Sequence, residues 1–347
     1  MRKAILAAFI AVLAPGGAAA AAESCSLPSL ADTVELKPLP GSDLMTVPVE
    51  VNGRPKQFLL DIGTNPTEIS EAAAAELALP ENAKAVTPLQ YGGGDIMAAT
   101  GSGISVPVVD ARHNSGRNAT RPRVGIDSFT IGGATARRMQ FLIADDKEMG
   151  KSKPYDGLLT GDFFKQYDVE LDFAGRQINY LTPTKCTDPD KVVFWTHSAV
   201  AVIPMSLPDG KIHTQVSVQG HVVDAVIDTS SARSVMRRDI AEVILGYKAG
   251  TAEMMPAADL KDASGEQVYG HTFSQISFAG GVAAANVPVL IQTNSMIHDP
   301  RTETVLGSRA QSADARIPGL TLGMDVLHQM HLYIVFGQKQ IYVTAAR

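Results

Sequence analysis

A long internal repeat constrains this chain more than any other feature, because a repeat fixes the architecture into which every motif must fit. Val49-Glu-Val51-Asn-Gly53 and then Leu60-Asp61-Ile62-Gly63-Thr64 match Val216-Ser-Val218-Gln-Gly220 and then Ile227-Asp228-Thr229-Ser230-Ser231, at a constant offset of 167 residues without a gap. A second block pairs Gly132-Gly133 and the apolar stretch to Ile143 with Gly280-Gly281 and the stretch to Ile291. In a third, Asp162-Phe-Phe-Lys-Gln166, Phe173 and Arg176-Gln-Ile178 run in register with Asp325-Val-Leu-His-Gln329, Phe336 and Lys339-Gln-Ile341. Three blocks in one order indicate duplication. The 347 residues leave room for two domains of about 150 residues each.

The period inside each copy is that of strands. Val49 and Val51, like Val216 and Val218, alternate with polar residues, and Gly53 and Gly220 fall where hairpin turns belong. A helical pattern follows each aspartate motif, Ser70 to Leu77 in the first copy and Met236 to Leu245 in the second, with Ser70 suited to be an N-cap. Leu181 to Trp195, with Pro183, Pro189 and several charges, reads as the crossover between copies. These boundaries give a segment 1–22, a first lobe 23–190 and a second lobe 191–347.

Segment 1–22 has the layout of a cleavable export signal: Arg2 and Lys3, an apolar run from Ala4 to Leu13, and an alanine tract ending at Ala22. The expected location is therefore periplasmic or secreted. No later stretch reaches the roughly 20 apolar residues of a transmembrane helix. Cys25 is preceded by a poor lipobox, which argues against a lipid anchor. In an oxidising compartment the two cysteines, Cys25 and Cys186, suit a disulfide that ties the N-terminus to the crossover, with two free thiols as the alternative. The net charge of -6 carries no long single-sign block, so neither nucleic acid nor an anionic membrane is an expected partner. Arg112, His113, Arg117, Arg121 and Arg123 read as a solvated insertion.

A carboxylate duplicated by symmetry, each on a strand ending in a Gly/Ser/Thr turn, is what a two-aspartate hydrolase needs. Two carboxyl groups about 3 Å apart cannot both ionise, so they share a proton. The ionised member takes a proton from the attacking water while the protonated one hydrogen-bonds the developing oxyanion. No metal or cofactor is required. The histidines form no His-Glu-x-x-His pattern, and His328 and His331 flank an apolar strand. There is no Gly-x-Ser-x-Gly elbow, and Gly92 to Gly94 lacks the lysine of a phosphate loop.

On Asp61-Ile-Gly-Thr64, Asp228-Thr-Ser-Ser231, Gly157-Leu-Leu-Thr-Gly-Asp-Phe-Phe164 and Gly319-Leu-Thr-Leu-Gly-Met-Asp325, the chain resembles the retropepsin-like aspartic proteases in their bacterial single-chain form with two copies. The resemblance implies an all-β, bilobal pepsin-like fold with a few short helices. It also implies a monomer with a pseudo-twofold axis, and hydrolysis of a peptide or protein substrate by Asp61 and Asp228. Gly63, Thr64, Thr229 and Ser231 take supporting roles, with the hydroxyls of Thr64 and Ser231 bonding the outer carboxylate oxygens. Tyr91-Gly92 resembles a flap tip, and Asp262 to Gly270 holds a comparable place in the second copy.

Two residues depart from the family pattern. Ile62 stands where a hydroxyl reaches across to the opposite loop, and Ser230 stands where glycine is expected, a restriction if that position needs a positive φ. They motivate the alternative of a noncatalytic cleft that binds a peptide or protein.

Overall fold

The computed structural model describes residues 25, 27–63, 66–81, 122–144, 154–164, 166–196, 200–208, 210–262, 265–293 and 318–346. The first copy lays down β1 (Leu30–Glu35), β2 (Lys37–Pro38), β3 (Met45–Val51), β4 (Arg54–Leu60), β5 (Glu68–Ser70), helix α1 (Glu71–Glu76), β6 (Arg123–Ile131), β7 (Ala134–Ala144) and β8 (Gly157–Leu159), then β9 (Asp168–Asp172) and β10 (Gln177–Leu181). The second continues with β11 (Ala201–Pro204), β12 (Ile212–Val218), β13 (His221–Ile227), β14 (Ser234–Arg237), β15 (Met255–Lys261), β16 (Gln267–Ser277), β17 (Ala283–Gln292), β18 (Leu320–Leu322), β19 (Met330–Val335) and β20 (Gln340–Ala345).

Each copy curls into a closed barrel. In the first the order is β3-β4-β8-β5-β7-β6, and a β3–β6 pairing closes the ring, with β2 appended. In the second the order is β12-β13-β18-β14-β17-β16, closed by β12–β16, with β15 appended. Closure leaves no open edge within either ring. A third sheet, β1-β10-β9-β19-β20-β11, takes three strands from each copy and joins the lobes through the β9–β19 ladder. The architecture is all-β and made of two lobes, as the resemblance implied.

The opening hairpins show why the repeat survives as structure. Asn52 and Gly53 both have positive φ, and so do Gln219 and Gly220, which is the backbone of a two-residue hairpin turn whose twist suits the flanking strands. Val47, Val49 and Val51 face the first core, and Val216 and Val218 face the second. Around Phe58, the rings of Phe129 and Phe141 pack with centroids 4.9 to 6.0 Å apart, filling the first barrel. Gly132-Gly133 turns β6 into β7, and Gly280-Gly281 turns β16 into β17, so the second repeat block is a pair of equivalent hairpins.

Helix α1 starts where expected: the Ser70 hydroxyl accepts the Ala73 N–H at 3.1 Å. The helical pattern from Met236 to Leu245 is only partly realised. Met236 and Arg237 finish β14, and a short π-helical turn covers Ile240–Ile244. Met236 pairs in register with Leu320 and Ile291, so sheet pairing overrides local helical periodicity there. The crossover contains one helical turn, Pro189–Val192, capped by the Asp188 carboxylate. Cys25 and Cys186 are disulfide-bonded, which fastens the N-terminal end of the described chain to the crossover.

Candidate active site

Both aspartates follow the last residue of the second strand of their hairpin, Leu60 of β4 and Ile227 of β13, and both are buried. Strand β8 runs parallel to β4, and β18 runs parallel to β13. The carbonyls at their C-terminal ends catch the loops: Asp61 N–H donates to Leu159 O at 2.9 Å, and Asp228 N–H donates to Leu322 O at 3.0 Å. The two apolar-Gly segments thus thread behind the two loops.

Glycines in these segments are set by close approach. A Cβ on Gly157 would lie 2.4 Å from Glu68 O and 2.7 Å from the Phe58 ring. One on Gly323 would lie 2.5 Å from the Arg233 backbone. Below them, the buried Asp325 carboxylate accepts the Ser234 N–H and hydroxyl, and the same hydroxyl accepts the Gly323 N–H at 3.0 Å. This network anchors the second loop.

The loops meet at the junction of the lobes. The Thr229 hydroxyl accepts the Ile62 N–H at 2.9 Å and donates to Leu60 O at 3.0 Å, bracketing Asp61 from the opposite lobe. Ile62, buried and without a hydroxyl, returns no such bond from its side chain. The cross-lobe grip is therefore one-sided. On the other flank, Gly63 pairs with Lys211 in a backbone bridge, and a Cβ on Gly63 would lie 2.5 Å from Gly210 O. Gly63 is required for that approach, not for a left-handed backbone.

The Asp228 carboxylate is surrounded by donors. Oδ1 accepts the Ser230 N–H at 3.0 Å and its hydroxyl at 2.6 Å, while Oδ2 accepts Lys211 Nζ at 2.7 Å. Burial pushes this carboxyl up, but the Lys211 ammonium and the two Ser230 bonds outweigh burial and hold it below the usual carboxylate range. Ser230 has no positive φ, so a side chain at this position carries no left-handed strain. Its hydroxyl, two positions after the aspartate, bonds the carboxylate. Ser231, expected in that role, is engaged through its backbone: its N–H donates to Asp228 O, and its carbonyl accepts the Met324 N–H.

Asp61, Asp228, Gly63 and Thr229 are thus brought together, with Ser231 on the adjoining turn. Thr64, Tyr91, Gly92 and the export-signal segment lie outside the described residues. The comparable stretch of the second copy lies in a hairpin of β15 and β16, where the Asp262 N–H donates to Glu266 O, with Tyr269 and Gly270 within β16. Lys211 is the functional-site residue that the sequence reading passed over. At the 167-residue offset it corresponds to Leu44, so comparing the copies one turn upstream of Val49 and Val216 would have exposed a charge replacing an apolar side chain.

His331, expected to flank a strand, lies within β19. It hydrogen-bonds Glu170 Oε1 at 2.8 Å and stacks on Trp195 with centroids 4.5 Å apart, away from the aspartates. Among the described residues no cluster of three metal-binding side chains occurs, and no helix is long and apolar enough to cross a membrane.

Residues 47–114 match the family model described as aspartyl protease, a segment that spans the first hairpin and Asp61. No curated protein sequence matches the chain at a significant level. Among solved structures, basic 7S globulin from soybean is similar over 90% of this chain and 94% of its own, at 10% identity and a TM-score of 0.46. The family match falls on the first copy and the second copy repeats its strands. The retropepsin-like resemblance thus rests on the matched segment, and the two-barrel arrangement is read from the strand pairings themselves.

Proposed function

We propose that the chain is an aspartic endopeptidase that acts in the periplasm or after secretion, hydrolysing peptide bonds with a water activated between Asp61 and Asp228. One observation carries this reading. Two aspartates sit at equivalent ends of equivalent strands, each with its backbone N–H held by a threading strand, and Thr229 ties their loops together. One carboxylate accepts a proton from the water as the water oxygen attacks the peptide carbonyl, and positive charge or a donor on the other side stabilises the oxyanion. Protonation of the leaving amine by the first carboxyl completes hydrolysis without a covalent intermediate. Thr64 and Ser231 complete the loops, and the segment at Tyr91-Gly92, the β15–β16 hairpin of the second copy, or both cover the substrate.

A second reading, a noncatalytic peptide- or protein-binding module, draws on the one-sided grip at Ile62 and on the ion pair that neutralises Asp228. The two readings separate on a diverse peptide library presented from pH 3 to 8 to the mature protein and to Asp61→Asn and Asp228→Asn. The protease reading expects cleavage by the parent and none by either variant. Peptide binding that persists in all three folded proteins, with no cleavage at any pH, would establish the binding module instead.

A further inference from the structure

We infer that Lys211 stands in for the proton that two facing carboxylates otherwise share, so that both aspartates remain ionised at neutral pH with the site's charge still compensated. The inference rests on the protease reading, and it starts from a charge count. Two adjacent carboxylates with one shared proton carry a net charge of minus one. Two ionised carboxylates with one ammonium carry the same net charge, but without depending on an acidic medium to supply the proton.

The geometry meets the requirements of such a substitution. Lys211 Nζ lies 2.7 Å from Asp228 Oδ2, and its side chain is 26% exposed, so the pair is shielded by protein on most sides. The lysine is positioned by its backbone, which bridges to Gly63 of the other lobe, next to the loop that carries Asp61. Asp228 Oδ1 is occupied by Ser230, so the carboxylate accepts three donors, an arrangement that suits its ionised form.

The other charged groups on the packed elements are differently committed. Asp325, on the turn behind β18, is used by Ser234, and Arg233 is exposed. Asp224 lies midway along β13 and takes the Gln215 amide. Among the described residues, Lys211 is the cation that touches the Asp228 carboxylate.

In this arrangement Asp61 is the base. It takes the water proton as the water oxygen bonds to the carbonyl carbon, and the carbonyl π pair moves to oxygen under the field of the Lys211 ammonium. As the oxyanion pair re-forms the carbonyl and the C–N bond breaks, Asp61 returns the proton to the amine nitrogen. The proton count closes without a protonated Asp228. Lys211 acts as a positioning residue that fixes the ionisation of its neighbour.

The test compares the parent with Lys211→Met and Lys211→Arg, using carbon-13-labelled aspartate to follow the Asp228 carboxyl by NMR and peptide cleavage to follow rate against pH. The expected result is an upward movement of the Asp228 titration by one unit or more in Lys211→Met. The cleavage optimum of that variant should move to acid pH, with at least a tenfold loss at pH 7 relative to its own acid maximum. Lys211→Arg, which keeps the charge, should keep the Asp228 titration at its parental position, whatever its cleavage rate. An unmoved Asp228 titration in a folded Lys211→Met protein overturns the inference, and so do superimposable pH profiles. The carboxyl titration decides the matter whether or not cleavage is found, whereas absence of cleavage by the parent counts against the protease reading alone.

Discussion

At the scale of single residues, the junction between lobes turns on Thr229. Its hydroxyl serves as acceptor to one backbone group beside Asp61 and as donor to another, and it is buried. Thr229→Val keeps the shape and removes both bonds, leaving a buried N–H and a buried C=O unpaired. The expected cost is about 2–3 kcal/mol of unfolding free energy, since each unpaired group carries about 1–3 kcal/mol of desolvation and part of it relaxes. Urea denaturation measures this, and a loss under about 0.5 kcal/mol would show that the grip is not structural. Much of this site was legible in sequence because the duplication marks its residues twice: an aspartate and a turn recurring at 167 residues identify both loops. Ser230 and Lys211 were harder to read. Whether a serine strains its backbone depends on a φ that only the surrounding loop decides, and Lys211 meets Asp228 across their own hairpin, one step beyond the Ile212–Ile227 pair, a register that alternation alone does not give.

At the scale of elements, the threading strands transmit packing to chemistry. β8 approaches β4 and β5 so closely that Gly157 has no room for a methyl group, and two residues further on its Leu159 carbonyl holds the Asp61 N–H. Gly157→Ala should therefore cost about 1–3 kcal/mol by overpacking and also reduce cleavage. Gly337→Ala, with open space around the new Cβ and no positive φ, serves as the control with little effect on either. Thermal unfolding and initial rates on the same preparations check both, and equal behaviour of the two variants would contradict the packing argument. Strands bounded by turns, such as β3, β4, β12 and β13, were legible from period-two alternation. β14 was not: Met236 reads as the start of a helical stretch, and only its pairing with β17 and β18, distant in sequence, makes it a strand.

At the scale of the whole molecule, the sheet shared by both lobes carries a buried polar cluster with its own pH dependence. Asp168 of β9 accepts the Thr184 N–H at 2.7 Å and the Tyr333 hydroxyl at 3.1 Å, the latter from the other copy. Burial nevertheless raises its pKa to about 6. For a carboxyl whose folded pKa is raised, the unfolded chain releases its proton first, so folding loses stability as pH rises from about 4 to 6 and no further above it. Asp168→Asn removes this loss. The stability difference between variant and parent should grow in the variant's favour across that window, as read from urea midpoints at pH 4 and pH 6.5. A constant difference would place the cause elsewhere than in Asp168.

The central claim, one hydrolytic unit made from two copies, is tested most directly by rates on a single cleaved peptide for the parent, Asp61→Asn, Asp228→Asn and the double variant. Residues that act as a unit are strongly non-additive. Each single variant is predicted to lose at least about a thousandfold in kcat, and the double variant is predicted to be no slower than either. Retention of more than about a tenth of parental activity in one single variant would contradict a shared site.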